Sequence, residues 1–137
     1  MIRECVPGRL LGPITIGMTR EQARAALLHQ GATRDVRRWP YRRAVLAAQM
    51  NSFQVFFDDR EVVEEVEAGV PHNDVRLGEV VLLGCPVADV VLQVSRFLAQ
   101  DPTVSERGTG FEWAAGLRLW KQTREDDGFT TALVFRV

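Results

Sequence analysis

The sequence predicts an α+β fold in one domain, residues 1–137, made of two tandem repeats at about 8–70 and 75–137. Each repeat reads as a helix followed by three strands, and the two join into one antiparallel sheet with both helices on one face. Three observations predict this. "RLLGPITIGM" (Arg9–Met18) is echoed by "RLGEVVLLGC" (Arg76–Cys85), with Gly17 falling on Gly84, and internal recurrence is the first pattern to test for in a chain. After each of these segments the apolar residues repeat with a period near 3.6, which then drops to 2. Turn residues cut the alternating stretches into strand-sized pieces, as antiparallel hairpins require.

In the first half, the Thr19 hydroxyl is placed to accept from an orphan backbone N–H, and Gln22 completes a capping box. Ala23, Ala26 and Leu27 follow at helical spacing, and Gly31 is the expected left-handed stop. The strands are "RRAVLAAQM", "FQVFF" and "EVVEEVEA", divided by Asn51-Ser52 and by Asp58-Asp59-Arg60. In the second half, Pro86 suits the first helical turn, where its missing N–H costs nothing. Val87, Val90, Val91, Val94 and Leu98 form an apolar stripe, and Pro102 is expected to end the helix by excluding Asp101 from the helical region. "GFEWA", "LRLWKQ" and "FTTALVFRV" are the strands. One helix covers a sheet face only in part, so two units side by side are the economical packing, giving one sheet of roughly six to eight strands. Two sheets packed face to face are the alternative.

Composition narrows the function. With 137 residues, 46% of them hydrophobic, the chain can bury a core of its own. Seventeen basic against eighteen acidic residues leave a net charge of −1, so neither nucleic acid nor anionic membrane is attracted globally. The charge is uneven: residues 1–50 hold nine arginines and three acids, the remainder eight basic and fifteen acidic residues. "MIRECVPGRLLGPI" contains no apolar run of signal-peptide length, no segment approaches the roughly 18 apolar residues of a membrane span, and two cysteines suit a reducing compartment. A cytoplasmic protein is expected.

The catalytic inventory is thin. His29 and His72 stand in no metal-ligand spacing, and no nucleophile elbow, phosphate loop or dinucleotide fingerprint is present. Cys85 aligns with the apolar Met18, which favours a small buried side chain over a reactive thiol. No catalytic residue, cofactor or metal is therefore expected. In "DDREVVEEVEA", alternation sets Val62, Glu64, Val66 and Ala68 on one side, and Val63, Glu65 and Glu67 on the other, so Glu65 and Glu67 read as a polar sheet face. "TRDVRRWPYRR" interleaves arginines with Trp39 and Tyr41, as single-strand nucleic-acid binders do, but the neutral net charge favours a charged hairpin or loop whose arginines pair with the acidic strand.

The sheet faces carry the most information. Phe53, Val55 and Phe57 match Leu117 and Leu119 as a core face; opposite them lie Gln54, Phe56 and Asp58 in one half and Arg118, Trp120 and Gln122 in the other. An aromatic, Phe56 or Trp120, thus recurs among polar neighbours. Either this face is an exposed protein-binding surface with aromatic anchors and a polar rim, or a loop around Trp39 covers it.

"GMTREQARAAL" (Gly17–Leu27), its echo at Gly84 and the helix-then-strands order in both halves resemble the small module shared by secreted β-lactamase inhibitor proteins and the small lipoprotein of the outer-membrane assembly machinery. The resemblance implies a non-enzymatic protein that binds another protein through its sheet, with Phe56 and Trp120 at the carried-over positions. The chain also resembles bacterial immunity proteins. It departs from the inhibitors and the lipoprotein in having no pair of cysteines inside each repeat.

The sequence thus points to a non-catalytic module, an inhibitor or immunity protein. Phe56 and Trp120 are its anchors, Arg118, Glu65 and Glu67 its rim charges, and another protein its partner. Two alternatives stand beside it: a small-molecule site or enzyme pocket between the repeats using His72, Cys85 or Glu65, and a homodimer formed through an edge strand or the aromatic face.

Overall fold

A computed structural model of the chain describes residues 1–28, 33–38 and 43–137. The chain opens with β1 (Ile2–Val6) and the hairpin of β2 (Leu10–Leu11) and β3 (Ile14–Thr15). Helix α1 (Arg20–Ala26) leads into four strands: β4 (Arg34–Arg38), β5 (Arg43–Ala48), β6 (Phe53–Phe57) and β7 (Val63–Gly69). A second hairpin, β8 (Asp74–Leu77) and β9 (Val80–Val81), precedes α2 (Val87–Leu98). Four more strands complete the chain: β10 (Thr103–Val104), β11 (Gly110–Trp113), β12 (Leu117–Trp120) and β13 (Thr131–Phe135).

This overturns the expected α+β arrangement of two helix-plus-three-strand repeats in a single sheet. The molecule is mostly β, with thirteen strands in two sheets and only two short helices among the described residues. One sheet has eight strands in the order β10-β11-β12-β13-β7-β6-β5-β4; the other has five, ordered β3-β2-β1-β8-β9. The physical reason lies ahead of each helix, in the echoed segments Arg9–Met18 and Arg76–Cys85. Gly12 and Gly78 both adopt φ of 59°, a left-handed conformation that glycine takes without steric cost, and each segment folds back as a hairpin. β1 then pairs parallel to β8, Arg3 opposite Val75, which creates the second sheet. β4 and β10 further lengthen each run of three strands to four.

The helices differ from expectation at their ends. In α1 the capping box forms as read: the Gln22 N–H donates to Thr19 Oγ1 at 3.2 Å, and Gln22 Oε1 accepts from the Thr19 N–H at 2.9 Å. The helix stops at Ala26 with Leu27 as its C-cap; His29 and Gly31, the intended stop, lie outside the described residues. α2 ends at Ala99, which adopts the left-handed conformation with φ of 52°, three residues before Pro102. Trp39, Tyr41 and Arg42 also lie outside the described residues.

One core cluster joins both sheets and both helices. Phe53, Val55, Phe57, Leu117, Leu119, Ala132 and Val134 line the inner face of the large sheet, and Ala23, Leu27, Val90 and Val94 meet it from the helices. Cys5, Leu11, Ile14, Val75 and Leu77 complete it from the small sheet. Gly128 is needed for close approach, since a Cβ there would lie 2.6 Å from the Gly84 carbonyl carbon.

Strict alternation along β7 fails at a bulge. Phe56 faces Glu65 whereas Phe57 faces Val63, with the register shifting between them, so Glu64 is the extra residue that re-aims its neighbours. Val63 therefore joins Val66 and Ala68 in the core instead of sharing a side with Glu65 and Glu67.

A charged residue sits where the sheets meet. Arg3 is 2% exposed, its guanidinium stacks 4.4 Å from the Phe53 ring centroid, and its Nε donates to Asn73 Oδ1 at 2.8 Å. Asn73 Nδ2 in turn donates to the carbonyls of Ser52 and Gly69. Burial lowers the Arg3 pKa, as it must for a cation removed from water.

Candidate functional site

The outer face of the eight-stranded sheet holds all five residues singled out from the sequence. Cross-strand register fixes their arrangement, because directly opposed residues share a face. One row runs Glu112, Arg118, Leu133, Glu67, Gln54 across β11, β12, β13, β7 and β6. A second row holds Trp120, Thr131 and Gly69; a third holds Phe135, Glu65 and Phe56. Arg118, Glu67 and Trp120 thus form one patch, and Glu65 with Phe56 forms another.

The two aromatics are not brought together. Three strand spacings separate β12 from β6, about 14 Å, and four residues along β13 separate their rows, about 13 Å. Phe56 and Trp120 therefore stand at opposite corners of the face, each half-buried. Between them, Leu133 is almost fully buried at 6% exposure although it faces away from the main core.

Charge on this face is largely committed within the molecule. Arg118 donates from Nε and Nη2 to Glu112 Oε1 at 2.9 and 2.6 Å, and its side chain stays half exposed. At the far end Arg136 bridges Asp58 at 2.8 Å and Glu64 at 3.2 Å. Hydrogen bonding from Arg136, then from the Val62 backbone, holds the Asp58 carboxyl below its ordinary pKa. A separate network ties α1 to the sheet: Arg20 pairs with Asp35 and Glu61 and lies over the Phe57 ring, and Arg24 also reaches Asp35. Hydrogen bonding from Arg24, aided by its charge and that of Arg20, lowers the Asp35 pKa.

Two clefts flank this patch. One of about 240 Å³ is walled by Trp120, Glu67, Gln122, Thr131, Asn51 and Ser52. Another, of about 310 Å³, lies at the β10 edge between Val104, Phe111, Glu112 and Arg118. His72, Cys85 and Glu65, the polar groups foreseen for a pocket, line neither. His72 is exposed, and its carbonyl accepts from the amino terminus at 3.2 Å. Cys85 packs half-buried at the start of α2. Cys5 is buried, and desolvation with the nearby Glu4 charge pushes its thiol up to about 12, which leaves it protonated and unreactive. Among the described residues no group of three or more His, Cys, Asp or Glu is placed to hold a metal, and no helix is long and apolar enough to cross a membrane.

Sequence reasoning missed Asn51, Thr131 and Glu112. Alternation along "FTTALVFRV" and "GFEWA" sets Thr131 and Glu112 on the polar face once the register is known. Asn51 carried no such signal, because a turn with φ of 70° delivers it.

No family model, curated protein or solved structure matches the chain.

Proposed function

We propose that this is a cytoplasmic, non-catalytic protein-binding module of the inhibitor or immunity type, acting through the outer face of its eight-stranded sheet. The observation that carries the reading is the Trp120 patch: a half-buried indole in the row beside that of half-exposed Arg118 and of Glu67, on a sheet whose opposite face is sealed in the core. Rigid aromatics and arginine are the side chains that dominate binding energy at protein interfaces. The Arg118–Glu112 pair gives a polar rim, and such rims set orientation and association rate more than affinity. Phe56 and Glu65 form a second contact region on the same face. Two unpaired cysteines suit a reducing compartment.

A photo-crosslinking amino acid replacing Arg118 tests the reading directly. In lysate of the native host it is expected to trap one discrete protein, whereas the same group replacing Leu92, which is 51% exposed on α2, traps none. Equal labelling from both positions, or none from residue 118, would refute the assignment.

A further inference from the structure

We propose that the cleft beside Trp120 binds the pyranose ring of a carbohydrate. This goes beyond the protein-binding reading and shares with it Trp120 and Glu67. The cleft lies where the end of β12 meets β13, β7 and the turn before β6.

Its size and chemistry select the ligand class. A space of about 240 Å³ is smaller than the sites of drug-sized ligands, roughly 300–1,000 Å³, and suits a single sugar ring. Among the described residues no lysine or arginine lines it and one carboxylate, Glu67, does, so they offer phosphates and carboxylates no counter-charge. Trp120 and Val70 are the large apolar side chains of the lining, too little for a lipid tail. What remains is an indole wall, the Glu67 carboxylate and a set of neutral polar groups. A pyranose presents the matching pair of surfaces: a face of axial C–H groups that packs on an aromatic ring, and a rim of hydroxyls that both donate and accept.

The polar groups needed for that rim are unspent. The Trp120 Nε1–H, the Gln122 side-chain amide and the Thr131 hydroxyl make no hydrogen bond to any described residue. Asn51 is oriented from behind: its Oδ1 accepts from Arg34 Nη2 at 2.7 Å, which leaves its NH2 as a donor. The absence of a side chain at Gly69 opens the floor, where a Cβ would lie 3.5 Å from Thr131 Oγ1. That floor is fixed from below, since the Gly69 and Ser52 carbonyls both accept from the buried Asn73 amide. Donors and acceptors are thereby held in place before the ligand arrives, which lowers the entropic cost of binding.

The test uses methyl glycosides of D-glucose, D-galactose and N-acetyl-D-glucosamine, with glycerol as the generic polyol. Each is titrated by protein NMR to about 100 mM, above the roughly millimolar Kd expected of a ligand this small. The expected result is a saturable shift of the Trp120 indole N–H with at least one glycoside and none with glycerol, with saturation transfer strongest to the axial C–H protons. Trp120→Ala, read by saturation transfer to the glycoside, abolishes binding. Gln122→Ala and the near-isosteric Thr131→Val each weaken it by about tenfold, the worth of one net hydrogen bond, with native-like spectra as the check on folding. No saturable shift with any of the three glycosides, or an affinity unchanged by Gln122→Ala and Thr131→Val together, overturns the proposal.

Discussion

On β12, Leu117 and Leu119 are fully buried while Arg118 and Trp120, one residue away, meet solvent. The same contrast runs across the sheet on β6, where Phe53, Val55 and Phe57 seal the core and Gln54 and Phe56 lie half-buried on the other side. The inner face is continuous with both helices and with the small sheet, so its residues are held by contacts from several directions. The outer face carries aromatic, arginine and carboxylate side chains on a backbone the inner face has already made rigid. With recognition on the outer face, as proposed, stability and recognition would be divided between alternate residues of the same strands, and changes on one face should leave the other's property intact.

The sharpest way to break that division is with two tryptophans. Trp113 is fully buried, and its Nε1–H donates to Ser95 Oγ on α2 at 3.2 Å. Trp113→Ala is expected to cost about 3–5 kcal/mol in urea unfolding, whereas Trp120→Ala, on the half-buried outer side, costs about 1 kcal/mol or less. Comparable losses would show that the outer face is core in all but name. A smaller effect is expected from Asn73→Ala. Removing that amide leaves Arg3 Nε and two carbonyls short of a partner inside the protein, which costs about 1–3 kcal/mol. Retained stability would mean that the joint between the sheets does not depend on this link.

The smallest effect concerns pH. Asp35 and Asp58 both have folded pKa values below their ordinary ones, so the folded state favours their ionised forms. Their contribution is fully present above the unfolded value of about 3.9 and is lost as the pH falls through the lower folded value. Urea midpoints are expected to be level near pH 7 and to decline below about pH 4, and Asp35→Asn is expected to flatten part of that decline. An unchanged profile would mean that the Arg20–Asp35–Arg24 network adds nothing to stability, as many exposed pairs do.

Local features were legible in the sequence because local physics determines them. Thr19 and Gln22 cap α1 as their spacing requires, the valine stripe on α2 buries Val90 and Val94, and alternation on β6 and β12 separates core from surface. Non-local features were not. The parallel pairing of β1 with β8 joins residues some seventy positions apart, and no periodicity announces it. The bulge at Glu64 depends on a register that only the partner strand sets. Of the candidate site, Arg118, Trp120 and Gln122 followed from alternation on one strand. The 14 Å by 13 Å separation of Phe56 from Trp120, from about 4.8 Å between strands and 3.3 Å per residue, and the arrival of Asn51 at the cleft follow from strand order and turn geometry.

Partner recognition is proposed for the outer face, and folding rests on the inner one. The most direct test of this division is affinity capture from host lysate with the wild type and the Phe56→Ala/Trp120→Ala variant, with urea unfolding measured on both. A stoichiometric protein is expected to be retained by the wild type and lost from a variant that remains folded. Retention of the same protein by the folded variant would contradict the division.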